Sequence, residues 1–447
     1  MITIRDYSFK YDISDTDTWV LKDISLFIDR ELVLITGRSG SGKSTLAKSI
    51  AGFLKETGES TGEIYIDGSP VSECDLFELS QKVGIVQQDP ESQICTMNVT
   101  DEVAFGLENL CYPQSKIEER ITWALSIVDG KYLKNRDTTS LSGGEKQKVA
   151  IASILAMKPE IIIFDEPTSN LDVKTTKEIM EVIKKIQKKA DVSAIVIEHK
   201  WEHIQKYADS IYQMNNGYIK RIETLPKAPY TGYKTDTGNP VLKINDVSFS
   251  YEDTVLDGIE LTVNEHEIIG IMGDNGSGKT TLLLCIMNFL EYTGDILLND
   301  ASIKEKKTFD IARDIGLIFQ NPNHQIFENT VYKEAAFASN NFGVHGQVDE
   351  LLHKSGLETY NNKNPFRLSY GEKRRLNIVS VLSYRPRILL LDEPFIGQDY
   401  ENVQKIMELL KETTCIIVSH DPFIAEAFCN RIFELEEGTL HEVKSSH

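Results

Sequence analysis

The chain is 447 residues long, more than one hydrophobic core usually organises, and ~150 residues per domain suggests about three domains. With 41% hydrophobic and 26% charged residues it has the composition of an ordinary soluble globular chain, which excludes disordered and fibrous classes. Its formal charge of −20 opposes a nucleic-acid-binding surface, which needs clustered cations, so no nucleic-acid partner is expected.

No apolar run reaches the ~18 to 20 residues that cross a bilayer. The longest, TLLLCIMNFL from Thr281 to Leu290, reads as a buried helix. The N-terminal MITIRDYSFKYD has no signal-peptide apolar region. Cys74, Cys95, Cys111, Cys285, Cys415 and Cys429 have no metal-ligand or redox spacing and read as small buried hydrophobes in a reducing compartment.

From the start, MITIRDYSFKY alternates polar and apolar residues, as a half-solvated antiparallel layer does. The β-branched run ELVLIT then leads into Gly37-x4-Gly42-Lys43-Ser44, which fits G-x-x-x-x-G-K-[ST] between a strand and a helix. Such a loop turns backbone N–H groups toward phosphates, and the helix N-terminus adds partial positive charge. Gly37, Ser39, Gly40, Ser41, Gly42, Lys43, Ser44 and Thr45 are therefore candidate ATP-binding residues. Lys43 would reach the β and γ phosphates and the Ser44 hydroxyl would ligate Mg²⁺.

VGIVQQDPESQI, LSGGEKQKVAI and the apolar strand IIIFDEP follow. Asp165 ends that strand at the carboxyl edge, where open α/β sheets bind ligands. It is a candidate to hold Mg²⁺ through water, with Glu166 polarising the attacking water; phosphoryl transfer needs little beyond positioning and charge stabilisation. VKTTKEIMEVIKKIQKK is helical and AIVIEH a strand, and such alternation means parallel strands with crossover helices. TLPKAPYTGYKTDTGNP, residues 224–240, reads as an extended linker between domains 1–223 and 241–447.

The second domain repeats the first, motif by motif and in the same order. VLKINDVSFSY begins it, and GDNGSGKTT supplies Gly273, Asn275, Gly276, Ser277, Gly278, Lys279, Thr280 and Thr281. IGLIFQNPNHQI, LSYGEKRRLNI, ILLLDEP with Asp392 and Glu393, and CIIVSH follow. The spacing from Ser142 to Asp165 equals that from Ser369 to Asp392.

LSGGE (Leu141–Glu145), lying between a phosphate loop and D-E-P, resembles the signature of ATP-binding-cassette ATPases, and the resemblance spans nearly the whole chain. It implies an α/β fold of two P-loop NTPase cassette domains, each with a RecA-like core, an N-terminal antiparallel β layer and a helical signature subdomain. Two cassettes would face head to tail, each ATP lying between one phosphate loop and the opposite signature: Ser142, Gly143, Gly144 and Glu145, or Ser369, Tyr370, Gly371 and Glu372. The resemblance further assigns Gln88 and Gln320 to Mg²⁺ and the γ-phosphate, completing the metal set Ser44, Gln88, Asp165, Thr280, Gln320 and Asp392. It makes His199 and His420 switch histidines, catalytic together with Glu166 and Glu393, although a lone histidine is more often structural. Tyr11 and Tyr251 match the adenine-stacking aromatic; packing within a sheet is their plainer reading.

The second copy departs from the family at Tyr370, usually glycine, and at FIGQD (Phe395–Asp399), where the first copy has TSNLD. Head-to-tail pairing sends both departures to the Lys43 site, so the Lys279 site is expected to turn over faster; neutral variation is the competing reading. QQDPESQI, QNPNHQIF and the EH of IVIEHKWEHI resemble energy-coupling-factor importers. That resemblance implies a peripheral ATPase on the cytoplasmic face of the membrane, partnered by an integral scaffold subunit and a substrate-binding membrane subunit, and importing a vitamin or transition-metal ion. The segment after each glutamine would grip the scaffold. Separate cassettes of that family carry an extra C-terminal dimerisation segment, which a tether would replace here. A soluble ABC ATPase acting on ribosomes or DNA, and the ATPase of another importer class, remain the alternatives.

Overall fold

The protein, seen as a computed structural model, is described over residues 1–12, 18–169, 171–199, 201, 203–225 and 230–443. It folds as two compact units, Met1–Lys227 and Ala228–His447. In the first, Leu32–Gly37 is the heart of a six-stranded sheet ordered Tyr218–Ile222, Ser210–Asn215, Leu32–Gly37, Ser193–Glu198, Ile161–Asp165, Val83–Val86. All its neighbours pair in parallel except the outer Tyr218–Ile222. Strands covered on both faces read as continuous apolar runs, and Ile161–Phe164 and Ser193–Glu198 are buried throughout.

The expected antiparallel layer is present: Leu21–Ile28, Ile2–Tyr11, Gly58–Ile66 and Ser69–Pro70 form it. Leu21–Ile28 buries alternate residues, the mark of one wet face. Between Val83–Val86 and Ile161–Asp165 the chain leaves the sheet for the helices Val99–Asn109, Gln114–Ile127 and Gly143–Ala156.

The second unit repeats this plan, with the sheet order Ile315–Ile318, Ile388–Asp392, Thr414–Val418, Ile268–Met272, Arg431–Glu436, Thr439–Val443. Its antiparallel layer joins Thr254–Asn264, Pro240–Ser250, Thr293–Leu298 and Ala301–Ser302.

Two expectations need correction. The apolar run Thr281–Leu290 is not one buried helix: the helix is Lys279–Ile286, Asn288 turns left-handed at φ 55°, and Phe289 is exposed. Only Cys285, Cys415 and Cys429 are buried, while Cys95 and Cys111 are exposed. The stretch read as an extended linker forms no helix between Tyr230 and Asn239 and runs along the second unit; residues 226–229 lie outside the described residues, as does Asn170 of TSNLD.

The docked stretch is a strap. Tyr230 packs edge-on against Tyr400 and Phe428 at 5.3 and 5.7 Å, and Tyr233 against Phe428 at 5.4 Å. The Tyr233 hydroxyl donates to Met407 O, and the Thr235 carbonyl accepts from Asn430 Nδ2 at 2.8 Å. Gly232 passes so close to Ala427 that a Cβ would stand 2.4 Å from its carbonyl oxygen. Aromatic truncation here removes packing from the buried Phe428. Tyr233→Ala is therefore expected to destabilise the second unit by about 2 kcal/mol, read as a lower melting temperature of the full chain.

Candidate active site

In each unit the phosphate loop turns sharply off the central strand. Gly42 (φ 104°) and Gly278 (φ 100°) are the left-handed N-caps of helices Lys43–Ile50 and Lys279–Ile286, a conformation that L side chains rarely adopt. Ser39, Gly40, Asn275 and Gly276 form the exposed tip of the loop. Lys43 Nζ curls back to donate to the carbonyls of Gly37 and Arg38, both at 2.9 Å; Lys279 does the same to Gly273 and Asp274 at 2.8 and 2.7 Å. Both ammonium groups are thus held over the loop mouth.

The strand ends bring up the carboxylates. Ser44 Oγ donates to Asp165 at 3.3 Å, and Thr280 Oγ1 to Asp392 at 2.8 Å. Burial, with the neighbouring Glu166 or Glu393 adding like charge, pushes both aspartates above the usual carboxylate range; the hydroxyl donors only partly offset it. In the first unit Glu166 accepts from Gln88 Nε2 at 2.7 Å and pairs with His199 Nε2 at 2.5 Å, while His199 Nδ1 meets Gly37 O at 3.0 Å. In the second, Glu393 pairs with His420 through Nδ1, at 3.0 Å. The geometry therefore unites glutamine, glutamate, histidine and phosphate loop in one chain of contacts in the first unit, and glutamate with histidine in the second.

Tyr11 and Tyr251 differ. The Tyr11 hydroxyl lies 3.3 Å from Thr45 Oγ1 and its ring abuts Phe9, so it is partly packed into the sheet. The Tyr251 ring abuts Phe249 in the same edge-on way at 4.8 Å, but it is 66% exposed and lines an open hollow of about 680 Å³ with Glu252, Asp253 and Val255, as a stacking face requires.

The signature residues stand on exposed helix N-termini. Ser142 and Glu145 form a reciprocal capping box on Gly143–Ala156, and Ser369 and Glu372 on Tyr370–Leu382. The departures of the second copy belong together. Gln398 of FIGQD is buried, donates to Gly371 O at 3.1 Å and accepts from Arg375 at 3.4 Å, while the Tyr370 hydroxyl donates to Gln320 O at 3.2 Å. In the first unit the apolar Leu171 occupies the place of Gln398 and lies near Gly143.

Glu102 and Glu334 escaped the motif reading, which took in the second glutamine of each copy and Glu198 without giving them a contact. Gln93 Oε1 accepts the Gln87 N–H at 2.9 Å, and Gln325 Oε1 the Phe319 N–H at 3.1 Å, so the second glutamine of each copy fixes the backbone before the first. Glu102 accepts from the N–H groups of Cys95 and Thr96, and Glu334 from those of Phe327 and Glu328. Comparing the repeats would have exposed both, since each glutamate holds the same offset from its glutamine. Glu198, before the switch histidine, is fully buried and accepts from Thr168 N and Oγ1 at 3.1 and 2.5 Å.

Burial, and then the Glu166 charge, push Glu198 up to about 7. Burial would lower His199, but the Glu166 charge and hydrogen bond outweigh it and hold the imidazole above its ordinary range. A carboxyl raised on folding binds its proton more tightly in the native state. Its stabilising contribution is complete below the unfolded carboxylate range and is lost as pH rises toward 7. Relative to Glu198→Ser, which installs the residue found at Ser419, the wild-type chain should lose about 3 kcal/mol between pH 4.5 and 7. Melting curves of the two proteins across that range check this.

Residues 21–169 and 256–396 each match the family model described as ABC transporter. The chain belongs to the ABC transporter family. It is an ATP-hydrolysing ABC ATPase with two cassettes. It is 30% identical over 497 residues to the "Putative HMP/thiamine import ATP-binding protein YkoD" of Bacillus subtilis strain 168, covering 98% of this chain and 90% of that one. It is 32% identical over 476 residues to a "Putative ABC transporter ATP-binding protein" of Methanosarcina mazei, covering 99% and 94%. A solved RNase-L Inhibitor aligns over 98% of this chain and 90% of its own with a TM-score of 0.65 and 20% identity, a likeness of fold alone.

The ABC ATPase site also suits Mg²⁺. Paired, buried carboxylates beside a hydroxyl form an all-oxygen donor set of the kind that Mg²⁺ takes, together with phosphates. The buried hydroxyls of Ser41 and Ser277 find no partner among the described residues, leaving polar atoms in the loop for a ligand to satisfy.

Proposed function

We propose that this chain is the motor of an importer of the energy-coupling-factor type, driving uptake of a vitamin or transition-metal ion through separate membrane subunits. The observation that carries the reading is the built surface behind each functional glutamine. Gln93 and Glu102, or Gln325 and Glu334, hold the loop rigid by backbone hydrogen bonds. The helix behind it presents Phe105, 47% exposed, or Phe337, 38% exposed and stacked edge-on against Phe327 at 4.5 Å. Exposed aromatics repeated at one position in both cassettes suit the apolar side of a partner's helix. Among the described residues no helix is long and apolar enough to cross a membrane, so such a partner would supply the spanning part. The thiamine-import name of the Bacillus relative supports import as the direction.

In this reading the cassettes pair head to tail, and each phosphate loop receives the opposite signature. Lys43 and Lys279 neutralise developing charge on the transferred phosphoryl group. Glu166 and Glu393 orient the attacking water and draw off its proton, and His199 and His420 hold those carboxylates in place. Ser44, Gln88 and Asp165, or Thr280, Gln320 and Asp392, would hold Mg²⁺, which when bound offsets phosphate charge. Tyr11 and Tyr251 face the base.

Affinity capture of the chain from membranes in mild detergent tests the assignment. An integral scaffold protein and a small substrate-binding membrane protein should copurify, and Phe105→Asp with Phe337→Asp should lose both. Capture of ribosomes with no membrane protein would overturn it.

A further inference from the structure

The two cassettes fasten their catalytic strand ends by different means. In the first, the strands Val83–Val86 and Ile161–Asp165 are neighbours, and beyond their ends the Gln88 side chain bonds Glu166 directly at 2.7 Å. In the second, the corresponding strands Ile315–Ile318 and Ile388–Asp392 are bridged by an arginine from the signature helix. Arg374 is 0% exposed. One guanidinium nitrogen donates to the Asp392 carbonyl at 3.3 Å; the other donates to the Gln320 carbonyl and, at 3.3 Å, to the Tyr370 hydroxyl. Tyr370 in turn donates to Gln320 O, and its ring lies 5.5 Å from the guanidinium carbon.

Those carbonyls belong to the residues that matter. The Asp392 carbonyl is part of the peptide joining Asp392 to Glu393, and Glu393 is in left-handed backbone at φ 49°. A planar cation with several fixed donors holds carbonyls from two loops at once and gives each bond the assistance of its charge, which a neutral amide lacks. The first unit has Gln147 at the corresponding helix position, equally buried, with a side-chain nitrogen that has no partner among the described residues, and Gly143 in place of the tyrosine. A buried guanidinium is costly unless its hydrogen bonds are used; Arg374 uses both terminal nitrogens, while its Nε has no partner among the described residues, and its placement between two loops bearing catalytic groups calls for a role there.

We propose that Arg374, assisted by Tyr370, is a positioning residue of the second cassette. It ties the Gln320 loop to the Asp392–Glu393 turn, so that the first turn of the signature helix and the cassette's own metal-holding residues move as one body. This rests on the assignment of Thr280, Gln320 and Asp392 to Mg²⁺. The Tyr370 departure thereby gains a function inside its own cassette: it is the outer half of the arginine's clamp.

The test uses the full chain and two readouts, both taken against Mg²⁺ concentration: ATPase rate, and the thermal stabilisation conferred by ADP. Arg374→Gln should raise the Mg²⁺ needed for half-maximal effect about tenfold in both, the loss of charge-assisted contacts. Arg374→Lys should recover part of it. Gln147→Ala, at the matching place in the first cassette, should leave the Mg²⁺ dependence within about twofold of wild type, because that side chain fastens no loop carbonyl. A lower melting temperature for Arg374→Gln with unchanged Mg²⁺ dependence, or an equal shift for Gln147→Ala, overturns the proposal. Thr280→Ala separates it from the metal assignment: unchanged Mg²⁺ dependence there sinks that assignment, whereas unchanged dependence in Arg374→Gln alone sinks the positioning role. If Arg374→Gln does not accumulate as folded protein, Tyr370→Phe removes one strut. A shift in the same direction of about threefold, beyond the range allowed to Gln147→Ala, supports the clamp, and a smaller one refutes it.

Discussion

Glu393→Gln should remove more of the ATPase activity than Glu166→Gln. A positioned general base is worth about 10²–10⁴ in rate, so each substitution effectively silences its own site and leaves the other to be read. If the sites were equivalent, either variant would retain the same residual rate. Under head-to-tail pairing, the Glu393 site receives Ser142–Glu145 and the apolar Leu171 segment. The Glu166 site receives Tyr370, whose hydroxyl is already committed to Gln320 O, and a Gly371 carbonyl already bonded to Gln398. A ring at Tyr370, where the other signature has Gly143, leaves less room for an incoming phosphate at the helix N-terminus. Steady-state ATPase of the purified variants decides the matter, and equal residual activities would sink the inequality.

Lys279→Met should be of comparable severity. Its ammonium group is held over the loop by the Gly273 and Asp274 carbonyls at 2.8 and 2.7 Å, ready to exchange those contacts for phosphate oxygens without reorganising. Removing one such preorganised charge typically costs 10²–10³ in turnover. Lys43→Met acts on the other site, so the double variant should show no turnover above background, while each single variant keeps the rate of the untouched site. Nucleotide-induced thermal stabilisation measured on the same proteins separates lost binding from lost chemistry. A double variant that still hydrolyses ATP would place the chemistry elsewhere.

The placement of the candidate catalytic groups was legible because they sit on short motifs whose local geometry is fixed by glycine, by helix capping or by the last residue of a buried strand. Gly42, Lys43 and Asp165 need little context. Contacts made across long sequence separations were not legible. Arg374 reaches Gln320 from 54 positions away, and Thr235 reaches Asn430 across 195. Composition marked residues 224–240 as an extended linker without showing where it docks, because prolines, glycines and polar residues say nothing about which surface will receive Tyr230 and Tyr233. Tyr370 read as a blemish in a motif because its partners, Gln320 O and Arg374, become neighbours only after the helical segment folds back on the sheet.

Glu166 and Glu393 both adopt left-handed backbone, φ 52° and 49°, each just past the end of its strand. For an L residue other than glycine that conformation costs about 1–2 kcal/mol. In the proposed mechanism, glycine at either position relaxes the turn and silences the carboxylate's chemistry in one step. Heat-challenge selection of variants of this protein would therefore enrich idle motors, and melting temperature is the wrong quantity to optimise when turnover is wanted.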